Sequence, residues 1–131
     1  MTHVLLPVTL LLRRFDVVAV IGRAVELAAV GIAGRAIVRR LGLPRSTVRG
    51  WLARFAGRVE RLRAHFTAWA VWLAPGWSGP APAGSSIADA VAVIVVAAHA
   101  GAEDVWTFAS AATGGRLLCN TSAPFPAPWT R

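Results

Sequence analysis

The residues best equipped for chemistry lie close together: Arg45, Ser46, Thr47 and Arg49, within the run PRSTVRGWLARF at 44–55. A guanidinium donates two parallel hydrogen bonds, either to guanine O6 and N7 or to a phosphate, and a hydroxyl serves both kinds of acceptor. Arg45 and Ser46 stand in the first turn of a helical pattern, with Arg49 one turn later on the same face, so these three are the expected base contacts. Thr47 and the backbone N–H groups at the helix start are placed to hold a phosphate. Arg35, Arg39 and Arg40 come before this run, and Arg54 and Arg58 continue the basic strip; all five are expected phosphate contacts.

Presenting such a set requires two short helices held at a fixed angle. Ile37, Val38 and Leu41 form an apolar stripe at helical spacing, Gly42 interrupts it, and Leu43-Pro44 restart the chain in a new direction. Val48, Trp51, Leu52 and Phe55 then form a second stripe of the same period. Gly42 lies four residues after Val38, six before Val48 and nine before Trp51, which makes those three the expected locking positions. Together with Ile37, Leu41 and Leu52 they compose a helix-turn-helix core, whose second helix enters the DNA major groove. Upstream, Asp16 is a plausible N-cap for a first helix over Val17 to Val30, with Arg23 and Glu26 spaced to pair on its outer side. Gly50 costs about 1 kcal/mol relative to Ala inside a helix. Two readings of it stand: close approach to a duplex, or tolerated drift.

Charge reinforces this reading. The net charge is +8, all 14 basic residues are Arg, and twelve of them lie between Arg13 and Arg63 against Asp16, Glu26 and Glu60 alone. The remainder carries Arg116 and Arg131 against Asp89, Glu103 and Asp104. A positive half joined to a near-neutral half is the footprint of a polyanion-binding module attached to something else. Catalytic constellations are missing. His3, His65 and His99 lack metal-ligand spacing, the six acids are scattered, and Cys119 alone forms no internal disulfide or multi-cysteine zinc site. No catalytic residue, metal or cofactor is expected, and the lone thiol points to a reducing, cytoplasmic setting, nucleoid-associated if DNA is the partner.

The hydrophobic fraction of 56% and the mean hydropathy of +0.56 call for a membrane test. Ala90 to Ala98 is about half the ~20 residues a spanning helix needs. Val17 to Gly34 contains Arg23 and Glu26, and Val4 to Leu12 is interrupted by Pro7. Arg13-Arg14 follow that last run where a secretory signal has its charges in front. A soluble chain with no membrane partner is expected.

Beyond Phe55 the apolar positions Leu52, Phe55, Val59, Leu62, Phe66, Trp69 and Leu73 alternate in steps of three and four, a heptad pattern. It predicts a recognition helix extended to about Ala74, as one helix or as two nearly collinear ones broken at Gly57. A parallel coiled-coil dimer would set Arg58 against Arg63 of the partner, so an antiparallel dimer or a second helix of the same chain fits better. GWSGPAPAGSS at 76–86 reads as a linker, and Ile87, Val91, Ile94 and Ala98 mark another helix to about Ala100. Glu103 to Thr113 reads as a short helix stopped by Gly114-Gly115, and the Pro-rich end from Asn120 as disordered. The expected fold is all-α. Its expected divisions are an extended arm over 1–14, a helix-turn-helix domain over 15–74, a linker over 75–86, a helical segment over 87–118 and a disordered tail over 119–131.

Four segments carry a resemblance: THVLLP at 2–7, IVRRLG at 37–42, STVRGWLARFAGRVE at 46–60 and TGGRLL at 113–118. The chain resembles a family of small, largely uncharacterised helix-turn-helix proteins of high-GC bacteria, found among transposon-related genes. STVRGW is also similar to the recognition helix of transposase and invertase DNA-binding domains. The resemblance covers 2–74 well and 87–118 more loosely. Val38 departs from it where Ala is preferred, and Pro44 where a capping Ser is common. Family members also carry a Cys-rich zinc ribbon ahead of the segment matching THVLLP, where this chain begins at Met1.

The combined expectation is a non-catalytic, sequence-specific binder of double-stranded DNA, a regulator or DNA-targeting accessory of a mobile element. The alternatives are an interaction module and a truncated gene fragment. The interaction module would form a homodimer or dock on a transposase through the Leu52–Leu73 heptad and the 87–100 helix.

Overall fold

The computed structural model describes residues 17–118 and 125–130. The arm expected over 1–14, the Asp16 cap and Cys119 lie outside the described residues. Among the described residues there are six α-helices, one 3-10 turn and no strand. The helices are α1 over 17–29, α2 Gly34–Leu41, α3 Arg45–Gly57, α4 Val59–Leu73, α5 Ser86–Ala100 and α6 Val105–Ala112, and the 3-10 turn is Pro128–Thr130. The chain is all-α.

Two apolar clusters organise these helices. Ala24 of α1, Ile37 of α2 and Val48 of α3 are fully buried in the first, ringed by Leu27, Ala28, Ile32, Val38, Leu41, Leu43, Trp51 and Leu52. At eight residues α2 is too short to be stable alone in water, so its helicity depends on docking Ile37 between its neighbours. The second cluster joins Phe55 to Leu62, Phe66, Trp69 and Ala70 of α4, with Ala90, Val93, Ile94, Ala97 and Ala98 of α5 and Trp106, Phe108, Ala109 and Ala112 of α6. Leu52 packs against both.

The heptad stripe crosses a break. Arg58 takes φ −126° and ψ 17°, outside the helical basin. Its N–H donates to the Phe55 carbonyl at 3.2 Å while its own carbonyl accepts the Leu62 N–H at 2.9 Å, opening α4. Of the two expected forms, a single helix to Ala74 or two helices broken at Gly57, the structure has the second, parted at Gly57-Arg58. The stripe itself is intramolecular. Phe55, Leu62, Phe66 and Trp69 are buried against α5 and α6, which makes the partner of the Leu52–Leu73 heptad the second helix of the same chain that was expected beside the homodimer or transposase seam. Both faces belong to one chain and meet at an effective concentration that a second molecule does not match. α4 packs with the C-terminal helices α5 and α6. In α5 the deepest positions are Ala90, Val93, Ile94, Ala97 and Ala98, so Ile94 and Ala98 of the expected stripe are central and Ile87 and Val91 lie at the edge. Apolar residues on several sides of that helix hide its buried face from periodicity.

Beside Val25, Leu52 and Phe55, which pack on the second cluster, Trp106 ties the two halves directly. The Trp106 ring lies so close over Gly22 that any Cβ there would collide with it, and Trp106 Nε1 donates to Glu26 Oε2 at 2.7 Å. Glu26 thus serves Trp106 in place of the expected pairing with Arg23. The connecting segments are also held. Trp77 packs on the second cluster, and the Ala83 N–H donates to Asp89 Oδ1 at 2.7 Å. Residues 125–130, within the tail expected to be disordered, are seated on α4. Phe125 lies 5.0 Å from the His65 ring with the Arg61 guanidinium 4.6 Å from its centroid, and Trp129 meets Trp72 at 6.0 Å. Aromatic residues between the prolines supply anchors that a composition-based reading passes over. Among the described residues no single helix is long and apolar enough to cross a membrane.

Candidate nucleic-acid interface

The turn between α2 and α3 rests on Gly42. Its φ of 66° and ψ of 30° are left-handed, and its N–H closes α2 on the Val38 carbonyl at 2.9 Å. Nothing lies within 4 Å of the place a Cβ would take, so glycine is required here by backbone conformation and not by space. Ile37 and Val48 then lock the pair. Val38 and Trp51, expected at the centre of the lock, sit half-buried at its margin.

α3 begins without a side-chain cap. Pro44 occupies the N-cap position, accepts only the Val48 N–H through its carbonyl, and has no side-chain oxygen to offer. α2 likewise starts uncapped at Ala33. By contrast, Ser85 caps α5 and Asp104 caps α6 through side-chain oxygens. The two helices of the turn motif therefore carry free N–H donors at exposed starts, where the helix dipole favours an anion.

Around these starts the cations are bare. Arg45, Ser46 and Arg49 are exposed on α3, and Arg35, Arg39 and Arg40 are exposed on α2. Thr47 is half-buried. Ser46, Gly50, Ala53 and Gly57 follow one another at helical spacing on the side away from Val48 and Phe55, a small-residue ridge with Arg on both flanks. Arg54 is exposed on the second flank, with its guanidinium over Gly50: Nη2 is 3.6 Å and Cζ 4.0 Å from the position of a Cβ there.

Arg58 is not brought to this surface. It is half-buried and its Nε and Nη1 atoms are out of contact with solvent, which takes it away from the expected phosphate contacts. The break that opens α4 turns its side chain inward, and helical spacing carried no sign of that. Arg23 was assigned to Glu26 on spacing, but it stands exposed and unpaired among the described residues. The acid three residues away concealed it as a candidate. The free, exposed guanidinium groups among the described residues are thus Arg23, Arg35, Arg39, Arg40, Arg45, Arg49 and Arg54, all on α1 to α3. Later Arg residues are engaged: Arg63 with Glu60 at 2.8 Å, and Arg61 and Arg116 against Phe125.

Three helices on one small core, a left-handed glycine turn and a cationic helix with open N–H donors define a helix-turn-helix domain, a DNA-binding fold. Residues 18–64 match the family model of a homeodomain-like domain, a span that takes in α1, α2, α3 and the first turn of α4. Comparison with curated proteins and with solved structures returns no match. Residues 18–64 are thus similar to a homeodomain-like domain, and the rest of α4 with α5 and α6 lies outside the match.

Proposed function

We propose that this protein binds duplex DNA at particular sequences, without catalysis of its own, as a cytoplasmic, nucleoid-associated regulator or targeting accessory of a mobile element. The observation that carries the reading is that, among the described residues, the free exposed guanidinium groups all lie on α1, α2 and α3. In this reading α3 lies in the major groove, with Arg45, Ser46 and Arg49 on base edges. Arg35, Arg39, Arg40, Thr47 and the first N–H groups of α3 take phosphates. The mobile-element role rests on the resemblance of STVRGW to transposase and invertase recognition helices.

The test is a binding titration on a randomised duplex pool at several salt concentrations. Affinity is expected to fall linearly on a log–log plot, with about −0.9 contributed per phosphate neutralised. Replacing Arg49 by Ala is expected to cost roughly 1–3 kcal/mol of discrimination at one base pair; equal weakening of all sequences makes Arg49 a phosphate contact. Mapping bound sites on the source genome tests the role, with sites at the ends of mobile elements expected and a spread over unrelated promoters against it.

One observation favours a second reading, an assembly module. Val71, Trp72 and Trp129 are 50%, 53% and 62% exposed and line a groove of about 630 Å³ with Ala64, Thr67, Ala68 and Pro75. If the groove binds a partner, the Trp72→Ala variant loses association in sedimentation while the wild type self-associates or binds a transposase at micromolar concentration. A wild type that stays monomeric and alone removes this reading.

A further inference from the structure

The outer face of α3 poses a problem for base readout. Its middle positions, Gly50 and Ala53, have no polar atom to offer a base, and Ser46 has a single short hydroxyl. A helix with so small a ridge can approach a groove floor closely, but the reading groups must then come from its flanks. Arg45 and Arg49 supply one flank.

The other flank has a feature that spacing alone does not reveal. Arg54 belongs to the basic strip and by position alone is a phosphate contact. Its guanidinium nevertheless lies back along the helix over Gly50, with Nη2 3.6 Å and Cζ 4.0 Å from where a Cβ would stand. Beside it, Val18, Ile21, Trp51 and Leu117 line a mostly apolar cleft that Arg54 also borders, with Ser110 and Gly115 on its far side. Arg54 has no ion pair or hydrogen bond among the described residues. A planar, five-donor group on the ridge of the recognition helix, one turn before its own Cα, stands at the level of Gly50.

We propose that Arg54 is a specificity-determining residue that reads a guanine O6/N7 edge, and that Gly50 is its seat. The inference deepens the DNA-binding reading above and rests on it. It makes the preferred duplex one in which guanines meet both flanks of α3, Arg45 and Arg49 on one side and Arg54 on the other. It also gives Gly50 a function, since any side chain longer than Ala at that position fills the space the guanidinium occupies.

The experiment is site selection from randomised duplexes, followed by affinity measurements on the winning duplex and on single-base changes of it. The proteins compared are the wild type, Arg54→Lys, Arg54→Ala and Gly50→Leu. Lys keeps the charge but loses the two-pronged donor, so Arg54→Lys is expected to retain the salt slope while losing about tenfold or more in preference for guanine at one position. Gly50→Leu, which strengthens the helix and whose Cβ meets nothing but the Arg54 guanidinium within 4 Å, is expected to lose preference at that same position. Replacing that guanine by 7-deazaguanine, which lacks N7, is expected to weaken the wild type and leave Arg54→Ala unaffected. Two results overturn the proposal while DNA binding stands. In one, Arg54→Lys keeps full discrimination; in the other, Arg54→Ala weakens every duplex equally and reduces the salt slope by about one phosphate contact. A wild type that binds no duplex at low salt overturns the DNA-binding reading and this inference with it.

Discussion

Two backbone positions with left-handed φ make opposite predictions. Gly42 holds φ 66° in the turn between α2 and α3, and Ala102 holds φ 55° just past the end of α5. An L-residue in that region costs about 1–2 kcal/mol, because its Cβ crowds the backbone carbonyl. Gly42→Ala is therefore expected to lower stability by about 1 kcal/mol, and Gly42→Asn by less, since Asn tolerates this region better. Ala102→Gly is expected to raise stability by about 0.5–1 kcal/mol, the gain from relieving the strain reduced by the entropy of the unfolded chain. Urea midpoints measure all three, and the same sign for Gly42→Ala and Ala102→Gly would refute the conformational account. Gly42 was legible in the sequence because a turn between two apolar stripes needs such a residue. Ala102 was not, since nothing in an alanine announces positive φ. It is reached because the Glu103 N–H returns to the Ala98 carbonyl at 3.0 Å and the Ala102 N–H to the His99 carbonyl at 3.0 Å.

At the scale of elements, His65 shows how the C-terminal unit is fastened. Its Nε2 is 2.7 Å from the Ala112 carbonyl. A carbonyl only accepts, so that nitrogen carries the proton, and Trp69 Nε1, 3.1 Å from the same atom, cannot donate to it at the same time. Burial among Phe66, Trp69 and Phe125 pushes the His65 pKa below its ordinary value of 6.5; the Ala112 hydrogen bond opposes the shift and the Arg61 charge adds to it. With the folded pKa depressed, the unfolded chain takes up the proton first as pH falls. The contribution to stability is thus fully present above about 6.5 and is lost as pH drops from there through the folded pKa. Urea midpoints are expected to decline between pH 7.5 and 5.5, and His65→Gln, which has no titrating group, to flatten that decline. An unchanged decline in the variant assigns the pH dependence elsewhere. The heptad holding α4 to α5 was visible as alternating apolar positions, and Gly57 marked where it could break, but the stripe did not decide between one helix and two. Gly57 and Arg58 do not disturb the stripe, and a side chain's turn inward at a helix start has no signature in spacing. The tail was hidden for a different reason, because proline content masks Phe125 and Trp129, the residues that seat it.

Across the whole molecule, Arg content alone does not separate the groups that meet a polyanion from those that hold the fold. Apart from Arg116, both sets lie in one basic stretch that runs through Arg63. The distinction is made by partners. Arg35, Arg39 and Arg40 are exposed and unpaired on α2, while Arg61 and Arg116 lie against Phe125 and Arg63 is tied to Glu60. Two triple variants with the same loss of charge separate the cases. With Arg35, Arg39 and Arg40 replaced by Gln, the log–log salt dependence of duplex binding is expected to become shallower by about 2.5 to 3, at roughly −0.9 per phosphate contact. With Arg61, Arg63 and Arg116 replaced by Gln, the slope is expected to stay close to that of the wild type. Affinity drops slightly in that variant because long-range attraction falls with net charge, and thermal stability drops because Phe125 loses its cationic neighbours, contacts worth about 0.5–1 kcal/mol each at exposed sites. Equal changes in slope would mean that the protein meets DNA as a diffuse positive body. A change confined to the α2 variant assigns the contact surface to the tri-helical domain, with α4 to α6 as its structural support.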